Sequence, residues 1–196
     1  MKTLGKLLTS TWAATVSALL LITVYIINPS AIETLQLKTF DYFITSLDKK
    51  ESEEVVLVEF GEKSVQEFGQ WPFDRRDIAK TIDTLRENGA AVIAVPILFS
   101  EKDRAGGDSV LEKSLGGGGV VISQTPTSQS RPADAARRGF AAIGNDPAPW
   151  LYTWRGAVAP LPALAGNADG VGLLAVAPER DGVVRRLPML ARIGDT

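Results

Sequence analysis

The chain divides by its pattern of apolar and polar positions before any single residue matters. From Leu7 to Ile32 no charged side chain occurs, and Trp12 to Ile27 ("WAATVSALLLITVYII") is apolar almost throughout. A helix crossing the hydrocarbon core needs about 20 such residues, and Trp12 and Tyr25 stand near the two ends, where amphipathic rings favour the interface. The pattern predicts a membrane anchor. A cleaved leader is the rival, but the run is longer than the usual apolar region, and Pro29 in "NPSA" spoils the cut site. A buried core helix would be unusually uniform at this composition.

Beyond the anchor the periods change. Ile32 to Leu47 repeats apolar residues at three and four from Phe40 onward, one face of a helix. This juxtamembrane helix is expected to leave the membrane and lie against the domain. "DKKESEE" reads as a solvated loop. "VVLVEF" (Val55 to Phe60) is a β-branched run and predicts a buried strand, followed by a helical turn in "EKSVQEFG". Asp74 is a good N-cap for a helix whose stripe is Ile78, Ile82 and Leu85, and Gly89 ends it. "AAVIAV" (90–95) gives the next strand, so that strand, helix and strand make a βαβ unit with parallel pairing. A polar loop, the short helix "SVLEKSL", the glycines Gly116 to Gly119 and a third strand, "VVIS" (Val120 to Ser123), follow. The glycines read as a helix stop and flexible connector. A phosphate cradle is disfavoured, because the run precedes a strand and no Lys-Ser/Thr pair follows. Periodicity fails from Gln124 to Asn167, where loops and one short helix near 135–143 are expected. "GVGLLAVA" and "VVRRLPMLARI" read as two strands joined at Asp181-Gly182. The fold class is therefore α/β: a transmembrane helix, then a mixed, partly parallel sheet with helices on its faces. The expected divisions are 1–28 for the cytoplasmic tip and anchor, 29–50 for the juxtamembrane helix, and 51–196 for a partial sensor-like domain.

Charge sets orientation. Lys2 and Lys6 precede the apolar run, whereas Glu33 to Glu54 carries six acids against three lysines. Basic residues hold the leading side in the cytoplasm, so the domain is expected outside it, with the lipid bilayer as a partner. The net charge of −2 gives no field to draw in nucleic acid. The chain has no Cys and no His. Thiol chemistry, disulfides and the commonest general base are thereby removed. An exported hydrolase would rest on carboxylates or serine with no nucleophile motif, so no enzyme, cofactor or metal is expected.

Candidate chemistry gathers around "GQWPFDRRD". Trp71 and Phe73 either plug the gap between turn and helix, with Pro72 fixing the backbone, or line a ligand port. Packing is the favoured reading. Arg75 and Arg76 occupy a first helical turn, where the macrodipole disfavours cations, and Glu62, Glu67, Glu101 and Asp103 are carboxylates that could offset this. The functional alternative is an anionic ligand bound by Arg75 beside Trp71. Glu101 and Asp103 could contribute oxygens to a hard cation, but two acids are too few to infer a site. The candidate ligand-binding set is Glu62, Trp71, Arg75, Glu101 and Asp103. Arg185 and Arg186 are expected to alternate faces on a strand, one pairing at the surface with Asp181 or Glu179.

Four fragments in order resemble the type-2 CHASE domain, a sensory extracellular module associated with cyclases and histidine kinases. They are "VVLVEFGEKSVQEFGQWPFDRR", "LRENGAAVIAVPILFSEKD", the strand "VVIS", and "ADGVGLLAVAPERDGVVRRLPML", of which Asp-Gly-Val-Val-Arg-Arg is the most specific. The resemblance spans about Ile32 to Arg192. It implies a bacterial inner-membrane sensor, expected as a homodimer, with a small-molecule ligand of unknown identity. Relatives of this kind continue into further membrane helices and a cyclase or kinase output, so a truncated gene or fragment is expected. Three positions depart from the family pattern: Gly61 and Pro96 stand where acids are frequent, and Phe43 where Arg is. If acids at the first two sense a ligand, this copy has lost or changed that ability. A non-sensing anchored dimerisation or envelope scaffold is the alternative function.

Overall fold

The computed structural model describes residues 11–27, 30–48, 52–129, 143–176 and 178–194. It divides into two compact units, Met1–Leu57 and Val58–Thr196.

The first unit holds two helices, α1 (Thr11–Ile27) and α2 (Ser30–Ser46), each of 17 residues and neither with a buried residue. No single helix among the described residues is long and apolar enough to cross a membrane; α1 and α2 pass that test only together, as a bent pair. The expected single span therefore stands at 17 described residues, slightly short of the roughly 20 a crossing needs. Apolar side chains of α2, Phe40, Phe43 and Ile44 among them, are exposed.

The second unit is mixed α/β, with α3 (Glu62–Phe68), α4 (Arg75–Glu87), β1 (Ile93–Val95), α5 (Asp108–Leu115), β2 (Val120–Thr127), a 3-10 turn (Ala148–Trp150), β3 (Thr153–Trp154), β4 (Gly156–Val158), α6 (Pro162–Asn167), β5 (Gly170–Leu173) and β6 (Arg192–Ile193). β2 is the centre of the main sheet: β1 and β5 flank it in parallel, and β4 pairs antiparallel with its last three residues. β3 and β6 form a separate parallel pair. Burial alternates along β1, with Ile93 and Val95 buried and Ala94 exposed, as a period of two requires when one face is covered. The cover is helical: Ile78 and Ile82 of α4, Leu111 and Leu115 of α5 and Leu164 of α6 form one core with Ile93, Val95, Val120 and Ile122. Polar ties lock the layer. The Ser114 hydroxyl donates to Asp83 Oδ1 at 2.7 Å, and Arg86 donates to the carbonyls of Ser114 at 2.7 Å and Gly118 at 3.1 Å, joining α4 to α5.

Several expectations hold. Asp74 caps α4, accepting from the Arg76 amide at 2.8 Å, and Gly89 follows the helix with φ at 91°. α3 and α5 form where periodicity places them, and the glycine run supplies left-handed conformations at Gly118 and Gly119. That run is a close approach and not a loose connector: a Cβ at Gly117 would lie 2.8 Å from the Arg86 guanidinium, and one at Gly119 would lie 3.1 Å from the Ala91 carbonyl oxygen.

Others do not. Val55–Phe60 forms no strand and is exposed, Leu57 to 90%. A β-branched run stays out of a sheet when no neighbour accepts its backbone, and β1 pairs with β2 alone among the described residues. The βαβ unit that forms lies one step downstream, β1-α5-β2; β5 joins β2 in parallel only after β3, β4 and α6. "AAVIAV" contributes only Ile93–Val95, and "VVRRLPMLARI" only Arg192–Ile193. Asp181-Gly182 does turn the chain, with the Gly182 amide on the Glu179 carbonyl at 2.9 Å and the Glu179 amide on that of Val183 at 3.1 Å. The helix expected near 135–143 falls almost wholly outside the described residues.

Candidate functional site

Ligands in open α/β sheets favour the carboxyl ends of the strands. Here that edge is occupied by the segment after β1, from Pro96 to Gly107, and its position is set by the start of α4. Arg75 is the first residue of that helix and is buried. One guanidinium nitrogen donates to Asp108 Oδ1 and another to the Glu101 carbonyl oxygen, and the group lies over the Phe99 ring at 5.2 Å from its centroid. Asp108 opens α5, where a carboxylate also suits the positive end of the helix dipole. Its oxygens accept the Asp103 amide at 3.2 and 3.3 Å, and Asp103 Oδ2 accepts the Gly107 amide at 2.8 Å.

Arg76 fastens the same segment from outside. It pairs with Asp74 at 2.9 Å and donates to the Ala105 carbonyl at 2.8 Å. The side-chain hydrogen bond from Arg76, reinforced by its amide, lowers the Asp74 carboxyl below its ordinary range. Gly107 is required by proximity, since a Cβ there would meet Asp74 Oδ1 at 2.8 Å and Asp103 Oδ2 at 2.9 Å.

The candidate residues thus separate. Arg75, Asp103 and the main chain of Glu101 come together in one clamp, while the Glu101 side chain is exposed. Glu62 is exposed in the first turn of α3, and neither it nor Trp71 holds Arg75. Trp71 is 54% exposed and sits edge-on to the buried Phe73 at 5.4 Å. Phe73, also touched by Phe60 at 5.3 Å and Phe68 at 6.1 Å, is the plug; Trp71 is its partly open rim. Gly61 ends no strand, so it does not stand beside Pro96 at a sheet edge; it precedes α3 in open space. Among the described residues, no group of three or more carboxylates could hold a metal ion.

Sequence reading missed Asp108 as the partner of Arg75. The signal was available only as an acid at the start of the next helix, which is uninformative without the fold. The pairing expected of Arg185 and Arg186 with Asp181 and Glu179 is found, although the two arginines do not lie on a strand. Its side chain is 4% exposed and grips Glu179 at 2.9 Å and Asp181 at 2.7 Å, while Arg186 is 75% exposed and meets Glu179 at 2.6 Å. The expected bridge forms and closes a turn: the Arg185 side chain is covered by the two acids folded back over it, while Asp181 stays exposed. That hydrogen-bonded guanidinium lowers the Asp181 carboxyl to about 2.

The family model of the CHASE2 domain matches residues 16–194. No curated protein and no solved structure matches the chain significantly.

Proposed function

The chain belongs to the CHASE2 family of sensory extracellular domains in signal-transduction proteins, and on that premise we propose that it is the membrane-anchored sensory part of a bacterial signalling protein. In this reading residues 1–28 hold the cytoplasmic tip and a single pass through the inner membrane. The body from residue 51 lies in the periplasm or outside the cell. It binds and reports and carries out no catalysis. A ligand acts by shifting a two-state equilibrium, by no more than its differential affinity for the two states. The shift passes through α2 into the apolar helix, and a homodimer carries it across.

The clamp divides the labour among the candidate residues. Arg75 and Asp103 are engaged in positioning the loop after β1. The exposed side chains of Glu62, Trp71 and Glu101 are the members left to meet a small molecule. The observation that carries the reading is the extent of the family match, which starts inside α1 and runs to the last described residue.

A second reading, an anchored dimerisation or envelope scaffold that senses nothing, is favoured by Gly61 and Pro96, where the family pattern frequently carries acids. Carboxyl-terminal fusions test the first reading. Alkaline phosphatase should be active and a fluorescent protein dark in intact bacteria; the opposite pair of results removes the sensory assignment. Dimer formation that is indifferent to a panel of small anions and sugars would favour the scaffold.

A further inference from the structure

Phe60, Phe68, Trp71 and Phe73 gather in a cluster that belongs neither to the main core nor to the clamp around Arg75. We propose that this cluster is a cage for an organic cation whose charge is carried by an N-methylated ammonium group.

The geometry is that of a floor with walls. Phe60 leads into α3 and Phe68 ends it; Gly69, with φ at 89°, then turns the chain so that Phe73 comes back against both rings. Phe73 is buried and is the floor. Trp71 stands at 85° to it with centroids 5.4 Å apart, Phe68 at 70° and 6.1 Å, and Phe60 at 48° and 5.3 Å. Among the described residues the three outer rings each pair with Phe73 and not with one another. A cluster that served packing alone would cover its largest ring, yet Trp71 is the most exposed of the four. Exposed apolar residues are ordinary when scattered, but three rings around one shared floor form a contiguous patch of the kind that marks a ligand.

Charge selects the class of ligand. Aromatic faces attract cations, and among the described residues no protein cation lies over any of these four rings; Arg75 lies over Phe99 instead. Glu59, Glu62 and Glu67 interleave with the rings, all exposed and none in an ion pair among the described residues. Between Val58 and Asp74 the one base is Lys63. The nearby arginines are already neutralised, Arg75 by Asp108 and Arg76 by Asp74. An anion would therefore be repelled. A bare ammonium is strongly hydrated and loses that water on entering the rings, whereas methyl groups spread the charge over an apolar surface and keep both attractions.

This assignment names the class of molecule that Trp71 and Glu62 would meet. Its role as a signal rests on the sensory reading above; the binding itself does not.

Choline and tetramethylammonium are the probes, titrated by calorimetry into the full chain in maltoside micelles. The control is the neutral alcohol in which carbon replaces the ammonium nitrogen of choline. Saturable binding of both cations is expected, with the neutral alcohol roughly tenfold weaker or more. Trp71→Leu should weaken choline by roughly tenfold, and Trp71→Tyr should recover part of the loss. No saturable binding of either cation overturns the proposal. Equal affinity for the neutral alcohol also overturns it, since the cluster would then be an apolar patch only, and so does binding that Trp71→Leu leaves unchanged. Should the variants not accumulate, NMR on the unsubstituted chain decides. Contacts from the N-methyl protons to the Trp71 and Phe68 rings support the cage; contacts confined to the other exposed aromatics, Trp150 and Tyr152, overturn it. A repeat in phosphatidylcholine vesicles separates the sources. Choline binding lost there but present in micelles assigns the cage to lipid headgroups, and binding in both assigns it to a free cation; either result keeps the cage. None of these readouts depends on membrane orientation, so failure here and failure of the sensory reading, tested by the fusions, are distinguishable.

Discussion

Val55–Phe60 and Val120–Ser123 are alike in composition and opposite in fate. Both are short β-branched runs bounded by polar or glycine-rich chain. Val120 and Ile122 are buried to 0% and 1% exposure between two parallel neighbours, whereas Leu57 is 90% exposed with none. Intrinsic preference cannot account for the difference, because strand propensity largely measures fit to a pleated, half-buried surface that neighbours supply. Val120–Ser123 is ordered from both sides: β1 and β5 take its backbone, and the Ser123 hydroxyl donates to the Ile97 carbonyl at 2.8 Å. A strand is thus a property of a site in the sheet as much as of a run in the chain.

The largest effect expected from this contrast is in the core. Ile122→Ala should destabilise the full chain by about 3 kcal/mol, from lost burial plus the cavity left between α4, α5 and the sheet. Chemical denaturation in detergent measures it. A loss under 1 kcal/mol would mean that the central strand is no better packed than the exposed run Val55–Phe60.

Arg75→Met should come next, at about 2 kcal/mol. The change leaves Asp108 and the Glu101 carbonyl without their cation. Removing one partner of a fully buried pair costs about 3–5 kcal/mol, but the Asp108 side chain is 31% exposed and can be partly rehydrated. Arg75→Lys should recover only part, since an ammonium cannot reproduce the fork that reaches both oxygens. Full stability in Arg75→Met would free this arginine from the clamp and return it to the ligand-binding candidates.

These two regions also mark how far the sequence could be read. The cap at Asp74, the stripe of Ile78 and Ile82 and the stop at Gly89 are local rules, each decided within a few residues, and each is found in the structure. The partner of Arg75 lies 33 residues away and is chosen by how α5 docks on α4; four other carboxylates were equally eligible by type. The fate of Val55–Phe60 depends on whether another strand accepts its backbone, again a non-local matter. Arg185 became buried because its own turn returns Glu179 and Asp181 over it, and a strand assignment for Val183–Ile193 conceals that geometry.

The turn gives a smaller, pH-dependent effect. Arg185 holds the Asp181 carboxyl at about 2, against roughly 3.9 in an unfolded chain. A depressed carboxyl stabilises the folded form fully above the unfolded value, and that contribution is lost as pH falls from about 4 through about 2. Carboxyl-carbon NMR should place the Asp181 midpoint near the lower figure, and Arg185→Gln should move it upward. A midpoint already at the ordinary value would show that the turn's ion pairs are not formed in solution.

The smallest expected change is the one that most sharpens the contrast. With Leu57 exposed as described, Leu57→Ala removes almost no buried surface, and its effect on stability should stay within about 0.5 kcal/mol. Val58→Ala, closer to Phe60 and about half as exposed, should do slightly more. Both predictions rest on the exposure of Val55–Phe60. A loss above about 1 kcal/mol at Leu57 would mean that its side chain is buried in solution. The pair of substitutions therefore tests the contrast: near-neutral values at both sites leave Val55–Phe60 without packed neighbours, and a clear loss at Leu57 would give it one.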